Sequence, residues 1–318
     1  MIFALWAGCA AAEIRIATYN AELFRDGPGL LLRDILKGED QVSAVQSVID
    51  SAAPDVLVLQ GFDWDYEGRA LAAFAEGLSR DYPHLFAAQP NTGIPTGIDL
   101  DGDDRRFGPR DAQGYGTFLG QGGMAVLSRY PIGAVQNFSA LLWRDLPGAA
   151  LPTRRDGSAF PSDAAQAVQR LSSVAHWAIP IEAPDGPITL LTWHGSTPVF
   201  DGPEDRNGRR GGDEARFWQL YLDGAFGAAP DAFVLAGQSN IDPGKGEGRR
   251  AIMADLLADA RLQDPPGLRT PTANWEQTGP MRASYILPSV GLTITGTGVT
   301  APDPEASRHV LIWADIAR

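Results

Sequence analysis

The chain has 318 residues, 44% of them hydrophobic and 20% charged, an ordinary globular composition with enough apolar residues for a sizeable core. Its formal net charge of −13 disfavours long nucleic acids as partners, because loose binding to polyphosphate rests on lysines and arginines displacing condensed counterions. Beyond residue 12 no apolar run approaches the roughly 18–20 residues that a membrane helix needs, which excludes a helical span there.

Residues 1–12, MIFALWAGCAAA, are apolar and small and end in three alanines just before the first charged residue, Glu13. They match the hydrophobic region and cleavage end of a secretory signal peptide, without its basic n-region. This predicts a periplasmic or secreted protein whose mature part, residues 13–318, is one domain. The sole cysteine, Cys9, lies in this stretch, so a processed chain has no thiol. An apolar N-terminal strand and a lipid anchor at Cys9 are the other readings, Trp6 being bulky for an anchor site.

From Ile14 the run IRIATYN alternates apolar and polar residues and predicts a half-buried strand that delivers Asn20 to a sheet edge. Over residues 41–53, Val42, Val45, Val48 and Ile49 recur at helical spacing and Pro54 stops the helix. DVLVLQ at 55–60 is the apolar run of a strand buried on both faces. Residues 91–123 are rich in Gly, Asp and Pro and predict a long surface excursion. Within it Asp99, Asp101, Asp103 and Asp104 crowd together in DLDGDD; the glycine misses the sixth position of a calcium loop, so a solvated acidic turn is the reading preferred.

Further strands are predicted at 123–132, 174–181, 188–193, 233–236, 284–287, 292–295 and 310–314, and helices at 213–225 and 251–257. No internal repeat and no linker divides the chain. Arg206, Arg209 and Arg210 read as a local basic groove or as a solvated loop. His84 and His176 read as structural, and Trp64, Trp143, Trp193 and Trp275 as core or rim packing.

Polar residues gather where the strands end: TYN at 18–20, LVLQG at 57–61, GGMAVLSRYPI at 122–132, HGSTPVFDGPEDRNGRR at 194–210, GQSNIDP at 237–243, ASYILPS at 283–289 and SRH at 307–309. In this order the segments resemble the motifs of the endonuclease/exonuclease/phosphatase superfamily, the deoxyribonuclease-I-like fold. The resemblance runs from about residue 14 to the C-terminus. It implies an α/β, four-layer αββα sandwich, with two mixed β-sheets packed face to face, helices outside, and the motifs gathered into one cleft.

Carried over residue by residue, the resemblance places Asn20, His194, Asn240 and His309 at catalytic positions. The four acids it leads one to expect are absent. The metal-binding Glu is Gly61, the Asp of the fifth motif is Gln238, the acid that orients the catalytic histidine is Ser284, and the Asp just before that histidine is Arg308. A hard divalent ion wants anionic oxygens, and phosphoryl transfer depends on charge neutralisation. An amide at 238 cannot serve as a base at neutral pH, and a permanent cation at 308 repels a metal.

Two compensations are open. Asp63 or Asp65, just past Gly61, could supply the missing metal ligand, with Glu22 a weaker candidate. Alternatively Arg308 could grip a phosphate in place of the metal, with Arg206 and Asp201 in the loop beside His194 contacting substrate. The first implies a Mg2+- or Mn2+-dependent phosphoesterase or nuclease-like hydrolase. The second implies a phosphate-ester-binding protein with weak or no hydrolysis and no cofactor, and it is the reading preferred.

Overall fold

The computed structural model describes residues 13–318; the segment read as a signal peptide, with Cys9, lies outside the described residues. In chain order the elements are β1 (Ile14–Leu23), α1 (Leu30–Lys37), α2 (Asp40–Ala52), β2 (Val56–Phe62), α3 (Arg69–Glu76), β3 (His84–Phe86) and β4 (Gly123–Ser128). There follow β5 (Gln136–Asn137), α4 (Asp163–Val168), β6 (His176–Ile181), β7 (Ile188–Trp193), α5 (Arg206–Leu222), β8 (Phe233–Gln238) and α6 (Arg250–Leu257). The chain closes with β9 (Ala273–Trp275), β10 (Gly279–Met281), β11 (Ser284–Pro288), β12 (Thr293–Val299) and β13 (Ile312–Ala317).

One sheet has the order β12-β13-β1-β2-β4-β3 and the other β11-β8-β7-β6-β5; β9 and β10 form a separate hairpin. Both sheets are mixed. β1 and β2 run parallel in the first and β7 and β8 in the second, each pair joined by a crossover that carries helices.

The period-2 pattern of β1 explains the layering. Ile14 and Ile16 point into the core between the sheets, where they meet Trp177, Ile179, Val234 and Ile286 of the opposite sheet, while Ala17, Tyr19 and Ala21 face the other way. That outer face packs against α2 and α3 through Val42, Val45, Ile49, Leu71 and Phe74. The outer face of the second sheet buries Leu191, Trp193, Leu235 and Tyr285 against Phe217, Trp218 and Tyr221 of α5 and Met253 and Leu256 of α6. The result is the αββα sandwich. No described helix is long and apolar enough to cross a membrane.

Three departures from the sequence reading affect the site. β1 continues past Asn20 to Leu23 through an irregularity in its pairing with β2. α5 begins at Arg206 rather than near residue 213, so the RNGRR run is helix and not loop. Residues 91–123 do run as a long excursion, broken by one short 3-10 turn at Pro109–Asp111, but Asn91, Thr92 and Asp111 within it are buried rather than at the surface.

Candidate functional site

Where β1 stops pairing regularly with β2, Asn20 stands opposite Gln60, and the register then slips before Leu23 meets Phe62. Glu22 absorbs the slip with φ of 49°, and Gly61 across from it has φ of +66°. A Cβ on Gly61 would lie 2.4 Å from Asn20 Oδ1 and 3.2 Å from the Glu22 backbone nitrogen. Gly61 is thus dictated by the bulge in β1: the place where a metal-binding Glu is expected has the wrong backbone hand and no room for a side chain.

Beside it an unbroken line of amides joins the two sheets. Asn20 Nδ2 donates to Gln238 Oε1 at 2.8 Å, Gln238 Nε2 donates to Asn240 Oδ1 at 2.5 Å, and Asn240 Nδ2 donates to the Gly195 carbonyl at 2.8 Å. All three side chains are buried. Each amide both donates and accepts, which a carboxylate cannot do. An Asp at 238 could accept from Asn20 but would face the Asn240 carbonyl oxygen with a second acceptor.

The two candidate histidines are neutral. Burial, with His309 close by, pushes His194 down to about 3, and burial likewise takes His309 down to about 4. His309 packs edge-on against Trp275 at 5.3 Å between ring centres. Its Nδ1, the Nδ1 of His194 and the Oγ of Ser284 are all buried without a hydrogen-bond partner among the described residues. Ser284, paired with Gln238 in the β11–β8 register, therefore holds no observed bond to His309.

Arg308 is bound to a carboxylate. Its Nε and its backbone N–H each donate to Glu22 at 2.9 Å, and Nη2 donates to the same carboxylate. Ser307 Oγ adds a bond to Glu22 at 3.2 Å. Burial pushes the Glu22 carboxyl up, but the bonds from Arg308 outweigh it and hold the group below its usual range. The guanidinium thus serves as the counter-charge to the Glu22 carboxylate, while its side chain stays 57% exposed.

Asp63 and Asp65, the replacement ligands expected from the sequence, both accept backbone N–H groups. The Asp63 oxygens accept the backbone N–H groups of Gly122 and Arg25, both at 2.8 Å, and burial pushes its carboxyl up to about 6. Asp65 accepts from the N–H groups of Arg69 at 2.9 Å and Ala70 at 2.8 Å, the first turn of α3. Both line a shallow depression with Trp64, Tyr66 and Arg69, apart from the cavity that holds Asn20, Gly61 and His194. The physical reason is that a carboxylate after a strand is most readily used by nearby unpaired N–H groups.

That cavity has a volume of about 920 Å³, large enough for a small-molecule ligand. Asn20, Gly61, His194 and Gly195 form one part of its wall, and Asp101, Arg110, Asp201, Arg206 and Arg210 another. Arg206 and Arg210, only 9% and 3% exposed, sit in the first turns of α5. Arg210 donates to the carbonyls of Gln113, Arg170, Leu171 and Ser172, and burial brings it down to about 10, so it stays charged at neutral pH. Arg206 donates to the Leu100 carbonyl, and its Nε has no partner. Neither forms a carboxylate ion pair among the described residues.

Asp201 accepts the Asn207 N–H at 2.6 Å and closes the loop onto α5. The wall is braced by Glu214, fully buried, whose carboxylate accepts from Ser173 N–H at 2.6 Å, Ser173 Oγ at 2.7 Å and Ser196 N–H at 2.6 Å. His176, by contrast, is a core residue, stacked on Trp218 and bonded through Nδ1 to Ser172.

The residues at the strand ends do not fit a divalent ion. They comprise three amides bonded in a line, two neutral histidines, a glycine and a carboxylate already paired with arginine, whereas Mg2+ and Mn2+ require free anionic oxygens. A separate acidic group exists in the long excursion, where oxygens of Asp99, Asp101 and Asp103 lie within 4.8 Å of one another. Asp99 there accepts the N–H groups of Asp101, Gly102 and Asp104, the bonding of a closed turn.

Comparison with other proteins agrees with this architecture. A model of the endonuclease/exonuclease/phosphatase family matches residues 17–309. Among solved structures, an endonuclease/exonuclease/phosphatase from Beutenbergia cavernae DSM 12333 superposes with a TM-score of 0.58 at 20% identity, covering 96% of this chain and 71% of that one. A family protein from Leptotrichia buccalis C-1013-b gives 0.55 at 16% identity, over 96% of this chain and 100% of that one. Sphingomyelinase C from Streptomyces griseocarneus gives 0.55 at 16%, over 96% and 99%. At these identities the likeness is one of fold. A search of curated proteins finds no match.

Proposed function

Since the chain belongs to the endonuclease/exonuclease/phosphatase family, its cavity inherits a fold built around phosphate esters, and we propose that this protein binds a phosphate ester with weak or no hydrolysis. One observation carries the reading: at the strand ends Asn20, Gln238 and Asn240 are tied into an amide line and Glu22 is paired with Arg308, so none of these described side chains offers a free carboxylate to a metal or a base. The same cavity is lined by Arg206 and Arg210, buried cations that the nearby carboxylates of Asp101, Asp201, Asp111 and Glu214 stabilise without a direct ion pair among the described residues, so an anionic ligand could still bond them. In this reading Arg206 and Arg210 attract the phosphoryl group, and His194 and Asn20 limit its pose. The reading of residues 1–12 as a signal makes the protein periplasmic or secreted, and the net charge of −13 favours small esters over long nucleic acids.

The alternative, a Mg2+- or Mn2+-dependent hydrolase using Asp63 or Asp65, has no geometric support, because both carboxylates are spent on backbone N–H groups. The test is titration with inorganic phosphate by calorimetry, alongside turnover of bis(4-nitrophenyl) phosphate with and without Mn2+. Phosphate binding that weakens in Arg206→Gln, with no metal-dependent turnover, is the expected result. Metal-dependent turnover abolished by Glu22→Gln, Asp63→Asn or Asp65→Asn would overturn it.

A further inference from the structure

The mouth of the cavity carries three exposed aromatic rings on three separate segments: Phe24 just after β1, Tyr115 in the long excursion and Phe200 in the loop before α5, exposed to 43%, 67% and 77%. Large apolar side chains left in water around a cavity with buried cations call for an explanation. The backbones of Tyr115 and Phe200 are constrained. Tyr115 lies between two glycines packed on main chain: a Cβ would meet the Ser173 carbonyl oxygen at 1.7 Å from Gly114 and the Gly93 nitrogen at 2.8 Å from Gly116.

Phe200 is held just as tightly. It has φ of +68°, unusual for a bulky residue. It is kept there by Asn207, which donates from Nδ2 to the Val199 carbonyl at 2.8 Å and from its backbone to Asp201 at 2.6 Å, one bond on each side. The loop thus maintains an unfavourable backbone while its ring faces solvent at the cavity mouth.

Resting on the phosphate-ester reading above, we propose that Phe24, Tyr115 and Phe200 form a specificity rim that stacks on a planar ring in the alcohol half of the ligand, so that the preferred ligand is an aryl or heteroaryl phosphate ester. The rim is aromatic rather than aliphatic, which suits offset or edge contacts with a flat ring. The same cavity also presents Asp101, Arg110, Asp201 and Asn207, polar groups that an acyl chain would leave without partners. Size agrees: a cavity of about 920 Å³ accommodates one ring and one phosphoryl group with room to spare.

The experiment is calorimetric titration of the full chain with inorganic phosphate, phenyl phosphate and cyclohexyl phosphate, the last matching phenyl in size but not in flatness. Phenyl phosphate is expected to bind about tenfold tighter than cyclohexyl phosphate, a preference of the size that stacking on one or two rings supplies. Phe200→Leu and Tyr115→Leu each reduce that preference several-fold and leave inorganic phosphate within about twofold, since both keep apolar bulk. Equal affinity for the two esters, or an unchanged preference in both variants, overturns the rim. Phenyl phosphate binding that depends on Phe200 while inorganic phosphate does not bind would retain the rim and overturn the phosphate reading. Binding to phosphatidylcholine vesicles that is lost in the same variants, without any phenyl preference, would replace the rim by a lipid-docking surface and also overturn it.

Discussion

Replacing Gly61 by alanine is the sharpest probe of how the site is built. The substitution places an L-residue at φ of +66° and drives its Cβ to 2.4 Å from Asn20 Oδ1. The left-handed backbone alone costs about 1–2 kcal/mol. Moving the Asn20 amide aside forfeits its bond to Gln238 at 2.8 Å and the one it accepts from Glu22 N–H at 3.1 Å. At about 0.5–1.5 kcal/mol each, these bring the expected loss to about 2–5 kcal/mol. In an Asn20→Ala background the collision and both bonds are already gone, so only the backbone part remains and the coupling between the two sites is about 1–3 kcal/mol. Urea denaturation of the four proteins, with m-values compared to confirm a common unfolded state, measures this directly. A Gly61→Ala loss below about 0.5 kcal/mol, or the same loss in both backgrounds, would refute the idea that the β1 bulge excludes a side chain at 61. Gly61→Glu is expected to be at least as costly as alanine, so restoring the missing acid there would not by itself rebuild a metal site.

Three other outcomes follow from the same geometry. Asp63→Asn replaces one of two acceptors by a donor facing a backbone N–H, so a loss of about 1–3 kcal/mol by denaturation is expected, with no change in the response to Mn2+. Arg308→Gln removes the charge that holds Glu22 down, and NMR titration should find the Glu22 carboxyl shifted upward, toward or above its ordinary range; an unmoved value would mean that the ion pair is not formed in solution. His309, lowered to about 4, favours the folded state when neutral: that contribution is complete above the ordinary value near 6.5 and is lost as pH falls toward about 4. His309→Gln should therefore reduce the proton uptake on unfolding near pH 5 by about one, read from the pH dependence of stability.

The Asp63 carboxyl, raised to about 6, acts in the opposite sense. Its folded-state preference for the proton is greatest below the ordinary value near 3.8 and disappears as pH rises through about 6, so the acid-side slope of the whole protein is shallower than the histidines alone would make it.

Much of the architecture was legible in the residues. Alternation in IRIATYN, the apolar run of DVLVLQ and the valine spacing over 41–53 report which face each element buries, and burial of those faces is what assembles the four layers. The strand-end motifs were legible too, because each sits beside a strong strand signal. Helices α1 and α3 are short, and the β9–β10 hairpin has three-residue strands, too brief for periodicity to register. The start of α5 was missed because RNGRR lacks apolar spacing; its arginines are buried by tertiary contact and not by pattern.

Local pattern therefore marked the main strands and two of the helices, and the order of the strand-end motifs, through their resemblance to the family, implied the sandwich. Only the tertiary structure decided what became of the neighbouring charges. Asp63 and Asp65, attractive on the sequence for standing next to the gap at Gly61, turn to the nearest unpaired N–H groups. Glu22, the weaker candidate, meets Arg308 across 286 positions of sequence. Gln238, which looks on the sequence like a lost acid, is the middle of an amide line from Asn20 to Gly195. A hydrogen-bond partner is chosen by which strand ends and loops the folded sheets bring within 3 Å, and that proximity is a property of the packed layers, with no trace in the spacing of residues along the chain.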